Sequence, residues 1–304
     1  MKKRPKVVVV GSINMDLVVS SDQAPVKGET ILGTDFQTVP GGKGANQAVA
    51  AARLGAEVSM IACLGDDMNG SVLLRQLENE GIDTTFVNTA SGETTGVAVI
   101  NLLSQGDNSI IVVPGANHRL SPAHVEKTEQ ALREADVCLI QLEIPMETVV
   151  TAVKLARRHG AKVILNPAPA QELSSEILAS IDFLTPNETE ASLLATGSVA
   201  RAADVKENVN ALKKRMPNTV FVVTQGGKGV YFTDGDENEE YPAQSVEVVD
   251  TTAAGDSFNA AMAVKLAEGS SLKEAVAFAT KVAAVTVTRF GAQTSLPTRE
   301  EIVD

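Results

Sequence analysis

The chain has 304 residues, enough for one large domain or a main body with an appendage, and its 44% apolar and 21% charged residues exclude a largely disordered polypeptide. Its 38 acidic against 26 basic residues give a formal charge of −12, which repels a phosphate polymer or an anionic bilayer and argues against nucleic acid and membrane surfaces as partners.

Taken in chain order, the opening MKKRPKVVVVGS has a basic head but only four consecutive valines, too few for the apolar core of a signal peptide, and reads as a first buried strand. From about residue 43 a helical pattern, KGANQAVAAARLGA, precedes the strand EVSMIACLG and the helix SVLLRQLENEG. Later come DVCLIQLE (strand), METVVTAVKLARRHG (helix), the strands KVILNPAP, IDFLTP and NTVFVVTQG, a solvated acidic hairpin DGDENEEY, and the helix SFNAAMAVKLAEG. This alternation is the rhythm of an α/β fold with a parallel sheet. Gly55, Gly81, Gly160 and Gly269 each follow the last periodic residue of a helix, where glycine caps at least cost.

Two segments break the rhythm. Met15 to Val39 and Thr95 to Gly115 hold alternating strands (DLVVSS, TGVAVINLL, NSIIVVPG) and turns such as QGDN, with no helix between them. They predict a small β flap, the alternative being edge hairpins of the main sheet. The expected division is a main body of residues 1–12, 46–94 and 118–304 and a discontinuous lid of residues 13–45 and 95–117. Cys63 and Cys138 lie in apolar runs, as buried thiols of a reducing compartment do, and His118, His124 and His159 are too scattered for zinc. No stretch approaches the ~20 apolar residues of a membrane span, so the expected location is the cytoplasm.

Ligands of an open parallel sheet bind beyond the carboxyl ends of its strands. The polar residues that follow the strands are Asn14, Asp16, Glu143, Asn166, Asn187, Glu190 and the run Thr224, Gln225, Gly226, Gly227, Lys228, Gly229. Within DTTAAGDSF, Ala253, Ala254 and Gly255 have little bulk to block an anion from the free N–H groups of a starting helix. Asp256 is then either a plain N-cap or a base able to accept a hydroxyl proton as that oxygen attacks a phosphorus. GGKGANQA and TQGGKG are glycine loops that either turn the chain or let a ligand approach the backbone closely. No G-x-x-x-x-G-K-[ST] loop occurs.

In their order, GSINMD, GGKGANQA, LNPAPA, TPNETEA, TQGGKGV, DTTAAGDSFNAA and TRFGAQTS resemble the family of sugar kinases named for ribokinase, over about Val7 to Pro297. The resemblance implies a doubly wound, mostly parallel sheet flanked by helices, with a small β-sheet lid that also makes a homodimer interface. It implies transfer of the γ-phosphate of ATP to the C5 hydroxyl of D-ribose, with Asp256 as general base beside an anion hole at Ala253, Ala254 and Gly255. Asn14, Asp16, Gly42, Lys43, Asn46 and Glu143 would hold the sugar together with Asp256. Asn187, Thr224 to Gly229, Gly255 and Thr280 would meet the nucleotide, and Glu190 would organise Mg²⁺ and its water. An activating K⁺ would be held by Asp250, Thr252, Thr286, Arg289, Gly291 and Ser295.

Two departures stand out: Ala253 takes the place of a glycine found in many relatives, and Thr280 that of a larger polar residue near adenine. A sister kinase acting on another acceptor and a catalytically silent sugar-binding protein are the competing readings.

Overall fold

Strand β1 (Lys6–Val10) explains why its valines run on without alternation. Val7 and Val9 point into one core and Val8 and Val10 into another, and all four are almost fully buried. The computed structural model, which describes residues 4–103, 108–198, 204–235 and 237–302, shows how the chain covers both faces.

After β1 the chain leaves the body to form β2 (Asn14–Ser21) and β3 (Asp35–Gly41), then returns as helix α1 (Lys43–Arg53). There follow β4 (Glu57–Gly65), α2 (Met68–Asn79), β5 (Val87–Ala90), β6 (Gly96–Leu103) and β7 (Asn108–Val113). Next are α3 (Pro122–Lys127), α4 (Glu129–Glu134), β8 (Val137–Ile140), α5 (Met146–Arg158) and β9 (Lys162–Leu165). The short α6 (Ser175–Leu178) leads to β10 (Phe183–Leu184), α7 (Glu188–Thr196), α8 (Val205–Arg215) and β11 (Val220–Thr224). The hairpin β12 (Val230–Asp234) and β13 (Glu237–Tyr241) precedes α9 (Ala254–Ala267) and α10 (Leu272–Thr286).

Among the described residues nine strands form one sheet in the order β13-β12-β11-β10-β9-β8-β1-β4-β5, parallel from β11 to β5 with β12 and β13 antiparallel. A separate sheet has the order β3-β2-β6-β7, its two central strands parallel and its outer pairs antiparallel. The two helix-free segments therefore pair with each other and are not edge hairpins of the main sheet. Phe36, Ile110, Ile111, Val112 and Val113 of this small sheet are exposed. Residues 105–107 of the expected QGDN turn, and Asp236 of the acidic hairpin, lie outside the described residues. Among those described, no helix is long and apolar enough to cross a membrane.

The expected helix stops are in place, since Gly55, Gly81, Gly160 and Gly269 all have positive φ. Strand β5 and helix α10, whose N-terminus is closed by a Ser271–Glu274 capping box, go beyond the elements read from the sequence. Helix α9 has almost no polar face, because it packs between α1 and α10 and against β1 and β8.

From β1 the sheet grows one way through β4 and β5 and the other way through β8 to β11, so the winding reverses between β1 and β8. Their carboxyl ends splay apart into a crevice there. Helix α1 is pressed into it: a Cβ added at Gly44 would lie 2.6 Å from Ser12 N and 2.7 Å from Gly11 C. Both are main-chain atoms that cannot yield without moving β1. We therefore expect Gly44→Ala to destabilise the protein by about 2–4 kcal/mol, as overpacking does, measured by urea unfolding.

Candidate active site

The residues just past the reversal point set the floor of the site. Ser12, after β1, donates from Oγ to Glu143 Oε2 at 2.5 Å, and Glu143, after β8, also accepts from the Lys43 main-chain N–H at 3.2 Å. The Ser12 carbonyl accepts from Ala45 N–H at 2.9 Å, so the first turn of α1 is clamped across both strands. Asn14 and Asp16 lie at the start of β2, where the chain passes from the body into the small sheet. The Asn14 side-chain oxygen accepts from Asn117 Nδ2 at 2.7 Å, and the same Asn117 amide pairs with the Ile13 main chain, accepting at 2.9 Å and donating at 3.1 Å. Asp16 is buried against Gly41, where a Cβ would lie 2.1 Å from Asp16 Oδ2. Only glycine fits beside that carboxyl.

Asp256 is not the N-cap of α9. Ala253 holds that place, in the left-handed region at φ 58°, and no side chain caps the helix. A left-handed alanine costs roughly 1–2 kcal/mol, which the surrounding structure must sustain. Asp256 is the third helical residue and is buried, with Oδ2 accepting from Asn46 Nδ2 at 3.0 Å and Oδ1 from Gln47 Nε2 at 3.0 Å. The N–H groups of a helix's first turn have no partner within the helix, and Gly255 is open to solvent. The Ala254 N–H has a long bond of 3.3 Å to the Thr251 carbonyl, and with the Gly255 N–H it forms a donor site beside a fixed carboxylate.

The electrostatics follow from crowding. Burial first, then the charges of Glu143 and Asp256, push the Asp16 carboxyl up to about 7 despite the opposing Lys43. Asp256 is also held above the ordinary carboxylate range, by burial above all, against the lowering effects of Lys43, Asn46 and Gln47. Glu190 is raised by burial and by Asp256, partly opposed by Asn187 N–H and Lys43. Lys43 is half-buried; burial alone would lower its proton affinity, but Asp256, Glu143, Glu190 and Asp16 raise it further, so its ammonium stays charged.

Two cavities meet at the N-terminus of α9. One, of about 500 Å³, is lined by Thr224, Gly226, Gly227 and Gly229 of the β11–β12 turn, by Thr251, Ala254 and Gly255, and by Phe258, Thr280, Ala283 and Val287. The other, of about 580 Å³, lies between the small sheet and the loops at 248–252 and 290–292, with Asp16, Thr251 and Thr252 in its wall. Val248 and Thr251 are common to both.

The remaining expected residues sort themselves by position. The glycine turn is a tight hairpin, closed by Gln225 N–H to the Gly229 carbonyl at 2.8 Å, and it also faces the first cavity. Gln225 and Lys228 turn aside to Glu188, at 3.4 and 3.0 Å. Thr280 is in the cavity wall with its hydroxyl donated to the Val276 carbonyl at 2.9 Å. Asn187 and Glu190 close a capping box on α7, at 2.8 and 2.9 Å, so their cap role is fully satisfied.

Asp250 ties two loops together, accepting from Thr252 N–H at 2.9 Å, Thr252 Oγ1 at 2.7 Å and Gly291 N–H at 2.9 Å. The Thr286 hydroxyl donates to the Val282 carbonyl at 2.9 Å and lies 3.0 Å from the Ser257 hydroxyl, and the Ser295 hydroxyl donates to the Ala292 carbonyl. Arg289 pairs with Glu301 at 2.6 Å. Any ligation by these residues would fall to main-chain oxygens and to Asp250. Among the described residues no three His, Cys, Asp or Glu side chains are grouped to hold a metal ion.

Sequence reading did not find Ser12, Gln47, Asn117 or Gln141. Gln47 adjoins Asn46 in GGKGANQA and was legible there as a second amide on α1, but nothing local shows that it meets Asp256, some 209 residues on.

Comparison with known proteins agrees with this fold. Residues 4–299 match the pfkB family of carbohydrate kinases. The chain is 45% identical over 296 residues to a ribokinase of Bacillus subtilis, covering 97% of each. It is 36% identical over 296 residues to a deoxyribokinase of Salmonella typhimurium, covering 97% of this chain and 96% of that one. A solved structure of Arabidopsis thaliana ribokinase with ribose and ATP superposes with a TM-score of 0.89 at 35% identity, covering 99% of this chain and 98% of that one. With its reversal-point crevice, its second small sheet and these relatives, the chain belongs to the pfkB family of carbohydrate kinases.

Proposed function

We propose that the chain phosphorylates D-ribose, moving the γ-phosphate of ATP to the C5 hydroxyl to give ribose 5-phosphate and ADP. The observation that carries this reading is that two cavities share Val248 and Thr251 just ahead of α9, the first lined by Ala254 and Gly255 and the second by Asp16, while the buried Asp256 is the third residue of that helix. The sugar fits the side bounded by Asn14, Asp16, Gly42, Lys43, Asn46 and Glu143. An ionised Asp16 accepts from two adjacent hydroxyls, while the Asn and Lys donors take the sugar's lone pairs. The nucleotide fits the mainly apolar cavity, its adenine against Thr280, Ala283 and Val287 and its phosphates toward Gly226, Gly227 and Gly255, with Asn187 at the near rim.

In the reaction Asp256 accepts the proton of the C5 hydroxyl as that oxygen attacks the γ-phosphorus and the bond to the leaving ADP oxygen breaks. The main-chain N–H groups at Ala253, Ala254 and Gly255 balance charge on the transferring group, and Lys43 holds its ammonium nearby. Glu190, an oxygen donor in reach of Lys43 and Asp256, suits the water shell of Mg²⁺, which when bound neutralises phosphate charge. The Asp250 carboxylate with main-chain oxygens at Thr252, Thr286, Arg289, Gly291 and Ser295 is an oxygen-only set suited to K⁺, which would stiffen the loop leading into α9.

The small sheet of β2, β3, β6 and β7 acts as a lid over the sugar, the first turn of α1 at residues 43–45 staying with the body, and the sheet's exposed apolar side chains Phe36, Ile110 and Ile111 suit a homodimer interface. The deoxyribokinase relative supports a second reading, 2-deoxyribose as acceptor.

An ADP-release assay with Mg-ATP over ribose, 2-deoxyribose, fructose and adenosine, with and without K⁺, tests both. The expected result is turnover that depends on ribose, rises with K⁺, and falls at least ~100-fold in kcat/KM for 2-deoxyribose, since Asp16 loses a hydroxyl partner. Faster turnover on 2-deoxyribose would transfer the assignment to that sugar.

Asp16 also makes stability depend on pH. Between its ordinary value of 3.8 and its folded value of about 7, the native state holds a proton that the unfolded chain has released, so stability falls as pH rises through this window. The full cost above it is on the order of 4 kcal/mol. Asp16→Asn cannot ionise. In the ligand-free protein it should raise Tm by several degrees at pH 8 and by less at pH 5, while abolishing ribose binding, as read by thermal scans with and without sugar.

A further inference from the structure

The carboxylate assigned as base does not stand alone. A chain of buried hydrogen bonds runs under it across the carboxyl ends of β8, β9 and β10. Gln141 Nε2 donates to Gln47 Oε1 at 2.6 Å, and Gln47 Nε2 donates both to Asp256 Oδ1 at 3.0 Å and to Asn166 Oδ1 at 3.1 Å. Asn166 Nδ2 donates to the Thr185 carbonyl at 3.2 Å, Thr185 Oγ1 donates to Asn259 Oδ1 at 2.5 Å, and Asn259 Nδ2 donates to the Gly255 carbonyl at 2.8 Å.

Gln47 and Gln141 are completely buried. Both N–H groups of the Gln47 amide are used and its oxygen accepts one hydrogen bond, which fixes its orientation: reversed, its oxygen would face the Asp256 carboxylate and the Asn166 oxygen, and both contacts would be repulsive. The fixed network thus holds the carboxylate and the first turn of α9 in one register with the sheet.

We propose that Gln47 is a positioning residue for phosphoryl transfer, one that acts through Asp256 by fixing the direction of its carboxylate and does not itself touch sugar or nucleotide. The inference rests on the reading of Asp256 as base. Asn46 holds the other carboxylate oxygen but is also one of the residues proposed to hold the sugar, so its loss would confuse binding with alignment. Gln47 separates them. The groups that bear on the Asp256 charge are Lys43, Asn46 and Gln47 from α1, Asp16 from β2, Glu143 after β8 and Glu190 from α7. Gln47 is a neutral donor among these, so its removal changes alignment and proton affinity together without altering net charge.

The test is the pH dependence of kcat and of kcat/KM for ribose with Mg-ATP, in the intact chain, for Gln47→Met and the nearly isosteric Gln47→Glu. For Gln47→Met we expect a ribose KM within about threefold of the parent, a kcat lowered about 10- to 100-fold at pH 6, and an acid limb displaced upward by about one pH unit. Gln47→Glu, which sets a second carboxyl against Asp256, should move the limb further in the same direction. In an Asp256→Asn background Gln47→Met should change the residual rate less than about twofold, because the group it positions has gone.

An unmoved acid limb, a loss confined to KM, or an equal loss in both backgrounds would overturn the proposal. Should Gln47→Met fail to fold, Gln47→Glu alone decides by the same limb. Should the parent chain not turn over ribose, the proposed function fails separately, and a ¹³C-carboxyl titration of Asp256 in the ligand-free parent and Gln47→Glu proteins decides the contact: a raised midpoint in the variant sustains it, and coincident midpoints refute it.

Discussion

A carboxylate buried as deeply as Asp256 must be met by donors on the spot, because taking an unpaired charge out of water costs several kcal/mol. Much of the molecule can be understood as the means of supplying them. Asn46 and Gln47 from α1 each give one N–H to one carboxylate oxygen, the opening turn of α9 adds the helix's own positive end, and Lys43 contributes a cation shared with Asp16, Glu143 and Glu190. The compensation is incomplete: the proton affinities of Asp16, Asp256 and Glu190 all remain raised in the ligand-free chain. A group poised in this way suits a base that must take a proton from an alcohol.

Bringing these donors together is a problem of topology before it is one of chemistry. Asn46 and Gln47 are about 210 residues from Asp256, and they meet because α1 and α9 pack side by side on the same face of β1. Close packing at Gly44 against Ser12 brings α1 down to the sheet, and the reversal of winding between β1 and β8 opens the space into which Glu143 and Asp16 project. The small sheet begins within this crevice, since Asn14 and Asp16 open β2, with Asn117 bonded to Asn14 and Gly41 packed against the Asp16 carboxyl.

The sequence disclosed the parts whose signal is local. The consecutive valines of β1, the glycine stops after the helices and the two helix-free segments were legible because burial on two faces, left-handed caps and strand alternation each leave a short-range pattern. The loops at Gly42, Gly226 and Gly255 were legible as places where a backbone meets a ligand or a tight turn. Less was readable where partners are far apart. Asp256 allowed two local readings, N-cap or base, and only the structure shows Ala253 as the cap with a left-handed backbone. Gln47, Gln141 and Ser12 are ordinary polar residues until the fold sets them against Asp256 and Glu143. Asn187 and Glu190 show the reverse, since their spacing already spells a capping box, a structural role that coexists with whatever they offer a nucleotide.

The most direct test of the account is a comparison of Asp256→Asn with the parent chain, measuring ribose binding by calorimetry and turnover in the presence of Mg-ATP. Substitution by the isosteric amide keeps the shape of the site but removes the proton acceptor, so ribose affinity should change by less than about tenfold while kcat falls by about 10³-fold or more. A variant that turns over ribose at near the parental rate would contradict the assignment of Asp256 as the base.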